Sequence, residues 1–540
     1  MSRAAKPVPP QTGASRRLGL RVFLLCFAAL WLAHAPWLRL PYFWDEAGYF
    51  IPAARDLLLY HQLVPHTTLS NAHPPLVMIY LAMVWKLTAY TPLITRTAML
   101  LVAASGFTAL WLLARRVADT ATATATATVI LTALTPVVFS QSCMAQLDVA
   151  AFALVMWMLL AHITGRRRLV IVLAALAAVA KETTVVVTLT LFGADLLGAI
   201  AYCWRPQWAA RWCLPRRSVL QSAAYLLALL PLAAWYAYHH HVTGHVFGNP
   251  DYLRYNVGAT VTPLRIALAF VMRVWHAVGY MNLFVLTAAA LMLGWDAHRS
   301  EGPDPAPCRI PCAVRLLLAL VVLAQIAEFS VVGGALLARY MTPAIPFVVL
   351  LATDVVRRRA PRWPWWIAAC AAASVAALFF NPPWFISPED NLTWTHYVQM
   401  HEDAARYVEQ HYPGERILTA WTASDELNRP WLGYVRQPLT IVRAENFSLD
   451  EMMKAQKQSD QIDVVVAFST KYEPGRALFQ RIPGYTRIQT RYFDFHQDLP
   501  PRAIAGMLGG RIVWREDSPG EWIAVIEIEK ARNARLEWPR

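Results

Sequence analysis

Apolar runs separated by short basic loops fill the first 380 residues of the chain. Runs near 20 apolar residues, the length that crosses a bilayer's hydrocarbon core, occur at 18–38, 94–114, 121–140, 147–164, 169–180 (running on toward a turn at Lys181), 183–201, 218–238, 275–295, 314–334, 341–356 and 364–381. They predict about 11 transmembrane helices. The Ala-Thr alternation at 121–128 has a strand-like period but lies inside an apolar run, where threonine bonds back to its own helix, so a helix is expected. Pro74 to Thr88 is apolar yet short, and reads as a helix lying in the interface. From about Phe385 charged residues become frequent and no run is long enough to span. Glu402–His411 and Leu449–Lys457 read as helices, and Arg416–Trp421, Asp463–Phe468, Arg511–Trp514 and Trp522–Ile528 as strands. A small α/β domain is expected there.

Composition sharpens this picture. The 540 residues are 57% hydrophobic, with 22 tryptophans and a net charge of +14. In a soluble protein that charge would suggest nucleic acid. Here the arginines concentrate at Arg115–Arg116, Arg166–Arg168, Arg205–Arg217, Arg299–Arg315 and Arg357–Arg362, loops that fall on one side when spans alternate. The excess therefore reads as membrane topology, and no nucleic-acid partner is implied. The N-terminal tail 1–17 is placed in the cytoplasm, the outer loop 39–93 and a soluble domain 382–540 on the periplasmic side, with a catalytic membrane domain 18–381 between. The first run lacks a small-residue cleavage site before Trp37, so it is expected to remain as a span. All seven cysteines precede the soluble region, and Cys308 and Cys312 alone make a weak zinc case.

Candidate chemistry centres on Tyr42-Phe-Trp-Asp-Glu-Ala-Gly-Tyr49, directly after the first span. Its aromatics suit the headgroup layer, and Asp45 and Glu46 held among them are partly desolvated, better bases than carboxylates in open water. Alternating spans place His73, Asp148, Lys181, Glu182, Arg339 and Tyr340 at the same membrane face. Singly, each has a structural explanation: His73 before two prolines caps a helix, Asp148 caps another, Arg339 snorkels. Together they read as functional. Lys181 and Glu182 are neighbours about 100° apart on a helix, so each needs a different partner. Arg254, Arg265, Arg273, Lys181 and Arg339 run against the positive-inside bias, and an interfacial anion such as a lipid phosphate would offset their cost. His241 and His245 have metal-compatible i,i+4 spacing, although a polar helix end explains them as well.

These motifs, Trp44-Asp-Glu-Ala-Gly-Tyr49, His73-Pro-Pro-Leu76, Asp148 heading a span, Lys181-Glu182 and Arg339-Tyr-Met-Thr-Pro-Ala-Ile-Pro346, resemble polyprenyl-phosphate-sugar-dependent glycosyltransferases of the GT-C fold. The similarity is greatest to protein O-mannosyltransferases and the bacterial aminoarabinose transferases of lipid A, over roughly residues 18–381. The resemblance implies a sugar donor carried on a polyprenyl monophosphate. It casts Asp45, beside Glu46, as the catalytic carboxylate and brings His73, Lys181, Arg339 and Tyr340 to the donor phosphate, with Asp148 and Glu182 in support. The region after 381 does not resemble the β-trefoil insert of eukaryotic members, which leaves lipid, glycan and protein all open as acceptors.

The chemistry expected is one inverting displacement on the outer face of a bacterial inner membrane. No cofactor is required, since a polyprenyl phosphate is a fair leaving group; a divalent cation acting through Glu46 or Asp148 is an option that no ligand spacing demands. The alternative is a secondary transporter using these charges for ion coupling, which predicts midplane charges and an internal repeat. The charges lie at span ends instead, and no repeat is visible.

Overall fold

The computed structural model describes residues 13–118, 122–211, 219–258, 260–299, 310–472, 481–493 and 495–529. Ala121, Cys213, Cys308, most of the 1–17 tail and parts of two basic loops lie outside the described residues. The chain forms two compact units. One comprises residues 1–39, 49–385 and 389–392; the other comprises 40–48, 386–388 and 393–540.

The first unit is helical. Among its described residues five helices are long and apolar enough to cross a membrane: Arg17–Trp37, Pro92–Val117, Glu182–Trp204, Val219–Thr243 and Cys312–Val331. Shorter apolar helices, Leu76–Leu87, Thr122–Leu134, Leu147–Ile163, Phe284–Trp295 and Trp363–Phe379, complete a multi-pass membrane protein. The Ala-Thr stretch is helical, as its setting predicted. Small residues draw the two most closely packed helices together: Ala103, Ala104 and Ala109 of Pro92–Val117 and Ala150, Ala151 and Ala153 of Leu147–Ile163 are all buried. In lipid such close backbone approach supplies the packing attraction that the hydrophobic effect cannot.

Two expected spans are broken. The run 121–140 is two helices, Thr122–Leu134 and Pro136–Gln141, because proline cannot continue a helix that Thr135 has left in an extended conformation. The run 275–295 is also mis-framed. A helix Pro263–Val278 ends at Gly279, and Phe284–Arg299 begins anew after Met281 and Asn282, both in the left-handed region. Arg265 and Arg273 interrupted the apolar signal of the first of these helices, yet both are fully buried in it.

The second unit holds the mixed five-stranded sheet, with β1 Arg416–Ala420, β2 Thr440–Ala444, β3 Val464–Phe468, β4 Gly510–Ser518 and β5 Glu521–Ile528. The order is β2-β1-β3-β5-β4. β1 runs parallel to β2 and β3, while β5 is antiparallel to β3 and β4. β3, Val-Val-Val-Ala-Phe, is buried along its whole length, as a continuous apolar strand in a sheet centre should be. The edge strand β2 was not visible in the sequence because Thr440 and Arg443 are exposed and break the apolar signal. Helix Thr393–His411 starts nine residues earlier than Glu402, its first turns being aromatic and buried at Trp394 and Tyr397.

Glu521, at the start of β5, is 4% exposed, and its Oε2 has no hydrogen-bond partner among the described residues. Burial pushes its carboxyl up from 4.5 to about 8. A folded-state pKa raised above the unfolded value means that the folded form keeps a proton the unfolded form releases. This contribution to stability is therefore present below about pH 4.5 and is lost progressively as pH rises toward 8. Thermal melts in detergent should show that loss, and Glu521→Gln should flatten the slope.

Candidate functional site

In the helical unit, four turns bring their charges together. Helix Arg167–Ala180 ends at Lys181, whose extended backbone (φ −154°, ψ 118°) turns its side chain off the helix. Lys181 Nζ lies 2.5 Å from Oδ1 of Asp148, in the first turn of Leu147–Ile163, where a helix dipole favours negative charge. Arg339, in the short turn Ala338–Met341, donates to Oε1 of Gln146 at 2.5 Å and to Oε2 of Glu389 at 2.6 Å. Its Nε stands 3.7 Å from Oδ2 of Asp148. Lys181, Asp148, Arg339 and Glu389 are all at most 5% exposed. Burying such ions singly costs several kcal/mol each, so the mutual pairing is what makes the cluster tenable.

Tyr340 sits among the cations. Lys181 Nζ is 4.6 Å from its ring centre, the Arg273 guanidinium 5.1 Å and that of Arg339 5.7 Å. The opposite support is Phe329, stacked at 4.8 Å and 16°. Three cations thus gather on one phenol ring with two carboxylates between them, Asp148 and Glu389.

Arg265 and Arg273 have another task. Both were expected to face an anion, and six backbone carbonyls engage them as well. Arg265 donates to Ser330, Gly333 and Gly334, and Arg273 to Phe329, Ala335 and Leu337. They tie down the loop that delivers Arg339 and Tyr340. Gly333 in that loop has φ +98°, a conformation only glycine takes without strain. Arg273→Met should lower stability by at least about 1.5–3 kcal/mol, the worth of one bond to a charged group. An unchanged melting temperature in detergent would contradict this role.

His73 and Glu182 form a second group in the same unit. Ala72 takes the left-handed conformation (φ 57°), and its carbonyl accepts the indole N–H of Trp235 at 2.9 Å, which aims the His-Pro-Pro corner. His73 Nδ1 is 3.0 Å from Glu182 Oε2, and its Nε2 is 3.0 Å from the hydroxyl of Tyr252. Lys181 and Glu182 have therefore gone to separate partners, as expected, although an extended residue at Lys181 and not a helical offset parts them. Both ring nitrogens of His73 are engaged, at the centre of a Glu182–His73–Tyr252 chain.

Asp45 and Glu46 belong to the second unit. Asp45 is half-buried. Glu46 is fully buried, and its Oε2 accepts the backbone N–H of Phe43 at 2.9 Å, so it braces the turn that presents its neighbour. Trp44 has φ 42°, an unusual conformation for a bulky residue and one that costs about 1–2 kcal/mol. Its ring meets Tyr397 and Trp421 edge to face, each at 5.5 Å. Two such pairs, at about 0.5–1.5 kcal/mol each, suffice to offset that cost.

The sequence did not disclose Glu389, Gln146 or Tyr252. Gln146 was within reach, two residues before Asp148. Glu389 follows the last apolar run in Pro-Glu-Asp and carried no signal beyond its charge. Among the described residues no group of three or more His, Cys, Asp or Glu is placed to hold a metal ion. His239 of the polyhistidine run bonds instead to the Ser70 hydroxyl and the His245 carbonyl, each at 2.7 Å.

No protein-family model matches the chain. No curated protein matches it by sequence. Solved structures do, 13 chains among them. ArnT from Cupriavidus metallidurans bound to undecaprenyl phosphate is 14% identical, with a TM-score of 0.52 over 98% of this chain and 100% of that one. The apo state of the same protein is 13% identical, with a TM-score of 0.52 over 95% and 98%. The fold expected from the sequence, a polytopic helical membrane protein with a C-terminal α/β unit, is the one observed, and it is shared with ArnT along nearly the whole chain.

Proposed function

We propose that this protein is a membrane glycosyltransferase that moves a sugar from a polyprenyl monophosphate to an acceptor hydroxyl or phosphate. The observation that carries the reading is the buried cluster of Lys181, Arg339 and Arg273, three cations within 5.7 Å of the Tyr340 ring centre. A phosphate attached to a lipid is the anion that reaches such a place. The likeness to a structure holding undecaprenyl phosphate supports the same ligand class.

In the reaction, Lys181 and Arg339 stabilise charge growing on the departing phosphate, and Tyr340 donates a hydrogen bond to it. His73 acts in the donor site through its chain with Glu182 and Tyr252. Asp45 takes the proton of the acceptor hydroxyl as its oxygen attacks the anomeric carbon and the bond to the phosphate oxygen breaks. One displacement inverts that centre and releases free polyprenyl phosphate; Asp45 returns its proton to solvent. Transfer assayed with and without excess EDTA reads whether a divalent cation acting through Glu46 or Asp148 assists.

The proposed setting is a bacterial inner membrane, the N-terminus cytoplasmic and the C-terminal unit outside, from the arginine loops. Cysteines placed at the exposed positions Gln437 and Arg166, in a background without native thiols, test this. An impermeant reagent should label the first in intact spheroplasts and the second only after permeabilisation. The ligand class is tested by native mass spectrometry with undecaprenyl phosphate and with a neutral polyprenol. Retention of the phosphate lipid and not of the alcohol is expected; equal retention would remove the phosphate site.

A further inference from the structure

The segment 40–48 lies between two stretches of the helical unit in the chain, yet it packs as a piece of the C-terminal unit. Its fastenings there are specific. The Tyr434 hydroxyl donates to the Tyr42 carbonyl at 2.9 Å, across 392 residues of sequence. Phe43 meets Tyr397 edge to face at 5.2 Å, and Trp44 meets both Tyr397 and Trp421. Gly48 lies so close to Trp421 that a Cβ there would stand 2.4 Å from the indole.

Behind these aromatics is a buried polar chain. The Tyr397 hydroxyl is 3.2 Å from Thr422 Oγ1, which donates to Glu426 Oε1 at 2.8 Å. The other oxygen of Glu426 is 2.6 Å from His401 Nδ1, and the His401 ring stacks on Tyr397 at 4.0 Å. Tyr397, Thr422, Glu426 and His401 are all at most 3% exposed. The chain closes on itself, so the face that Tyr397 and Trp421 present to Trp44 is held from two sides.

Resting on the reading of Asp45 as the base, we propose that the C-terminal domain is a positioning element of the transfer reaction. Trp421 and Tyr397, locked by the His401–Glu426–Thr422 chain, fix the turn at Trp44 and so set where the Asp45 carboxylate stands. The domain is thereby a working part of the enzyme and not an appendage. Trp421 and Tyr397 act through Trp44 and are positioning residues.

The consequence is a split between kcat and KM. Misplacing a catalytic group by about 1 Å costs up to about 100-fold in rate. Trp421→Ala in the full-length protein should lower kcat by about 10–100-fold while KM for the polyprenyl-phosphate sugar stays within about twofold. Gly48→Ala should give the same defect by pushing the indole away. Combining Gly48→Ala with Trp421→Phe, which narrows the ring, should recover most of the rate, a rescue that mere loss of stability would not show. Melting temperatures of each variant identify any that fail to fold, and the paired variants then decide. An unaltered kcat in folded Trp421→Ala overturns the positioning role, as does a Gly48→Ala defect that Trp421→Phe leaves untouched. Failure of the underlying reading looks different, for then the unmodified protein transfers no sugar at all.

Discussion

Asp45→Asn is expected to lower sugar transfer by roughly 10²–10⁴, the usual contribution of a general base. The substitution preserves the size of the side chain while removing its negative charge and its ability to take a proton. Binding of the donor lipid should persist, because the proposed phosphate contacts are those of Lys181 and Arg339. Glu46→Gln should be far milder: its amide oxygen can still accept the Phe43 N–H that Glu46 Oε2 accepts at 2.9 Å, so the turn survives. Equal defects in the two variants would take the proton-transfer role from Asp45 and leave the whole turn as the sensitive object.

The second large effect concerns the phosphate cluster. Arg339→Ala should weaken binding of undecaprenyl phosphate by about 2–5 kcal/mol, the loss seen when one partner of a buried charge pair is truncated. Part of any defect comes from stranding the Glu389 carboxylate, which Arg339 meets at 2.6 Å. Adding Glu389→Gln removes that stranded charge, so stability should recover while lipid affinity does not. Arg339→Lys should rescue in part, since a single ammonium cannot both meet Gln146 and Glu389 and stand beside Asp148 as the separate guanidinium nitrogens do. Asp148→Asn acts in the other direction: it releases Lys181 Nζ from its 2.5 Å contact and should leave phosphate affinity intact or higher. Isothermal titration in detergent separates these outcomes. Full affinity in a folded Arg339→Ala variant would dissolve the cluster as the phosphate site.

The fold was legible where the physics is local. Bilayer-length apolar runs marked the helices, and the alternation of arginine loops gave a consistent expectation of sides. Failures came where a local signal was crossed by a distant partner. Arg265 and Arg273 disguised a buried helix as a loop because the carbonyls that satisfy them lie more than 50 residues away. Of the site, the parting of Lys181 and Glu182 was expected from helical geometry and is produced instead by the extended backbone at Lys181. Their partners, Asp148 and His73, were legible as residues with a reason to be there. Glu389 was not, since a lone carboxylate after an apolar run resembles any solvated surface until Arg339 is found beside it. Membership of Tyr42 to Gly48 in the C-terminal unit was likewise beyond reach. It rests on Tyr397, Trp421 and Tyr434, whose aromatic character has many other uses in a domain core.

The most direct test of the central claim is turnover. Purified protein reconstituted in liposomes would be given a polyprenyl-phosphate sugar pool extracted from its own host, with envelope acceptors, and free polyprenyl phosphate and glycosylated acceptor followed together by mass spectrometry. The account predicts that both products rise in equal amounts with the unmodified protein, and that both fall to near background with Asp45→Asn. Absence of release from the unmodified protein, or undiminished release from Asp45→Asn, would contradict it.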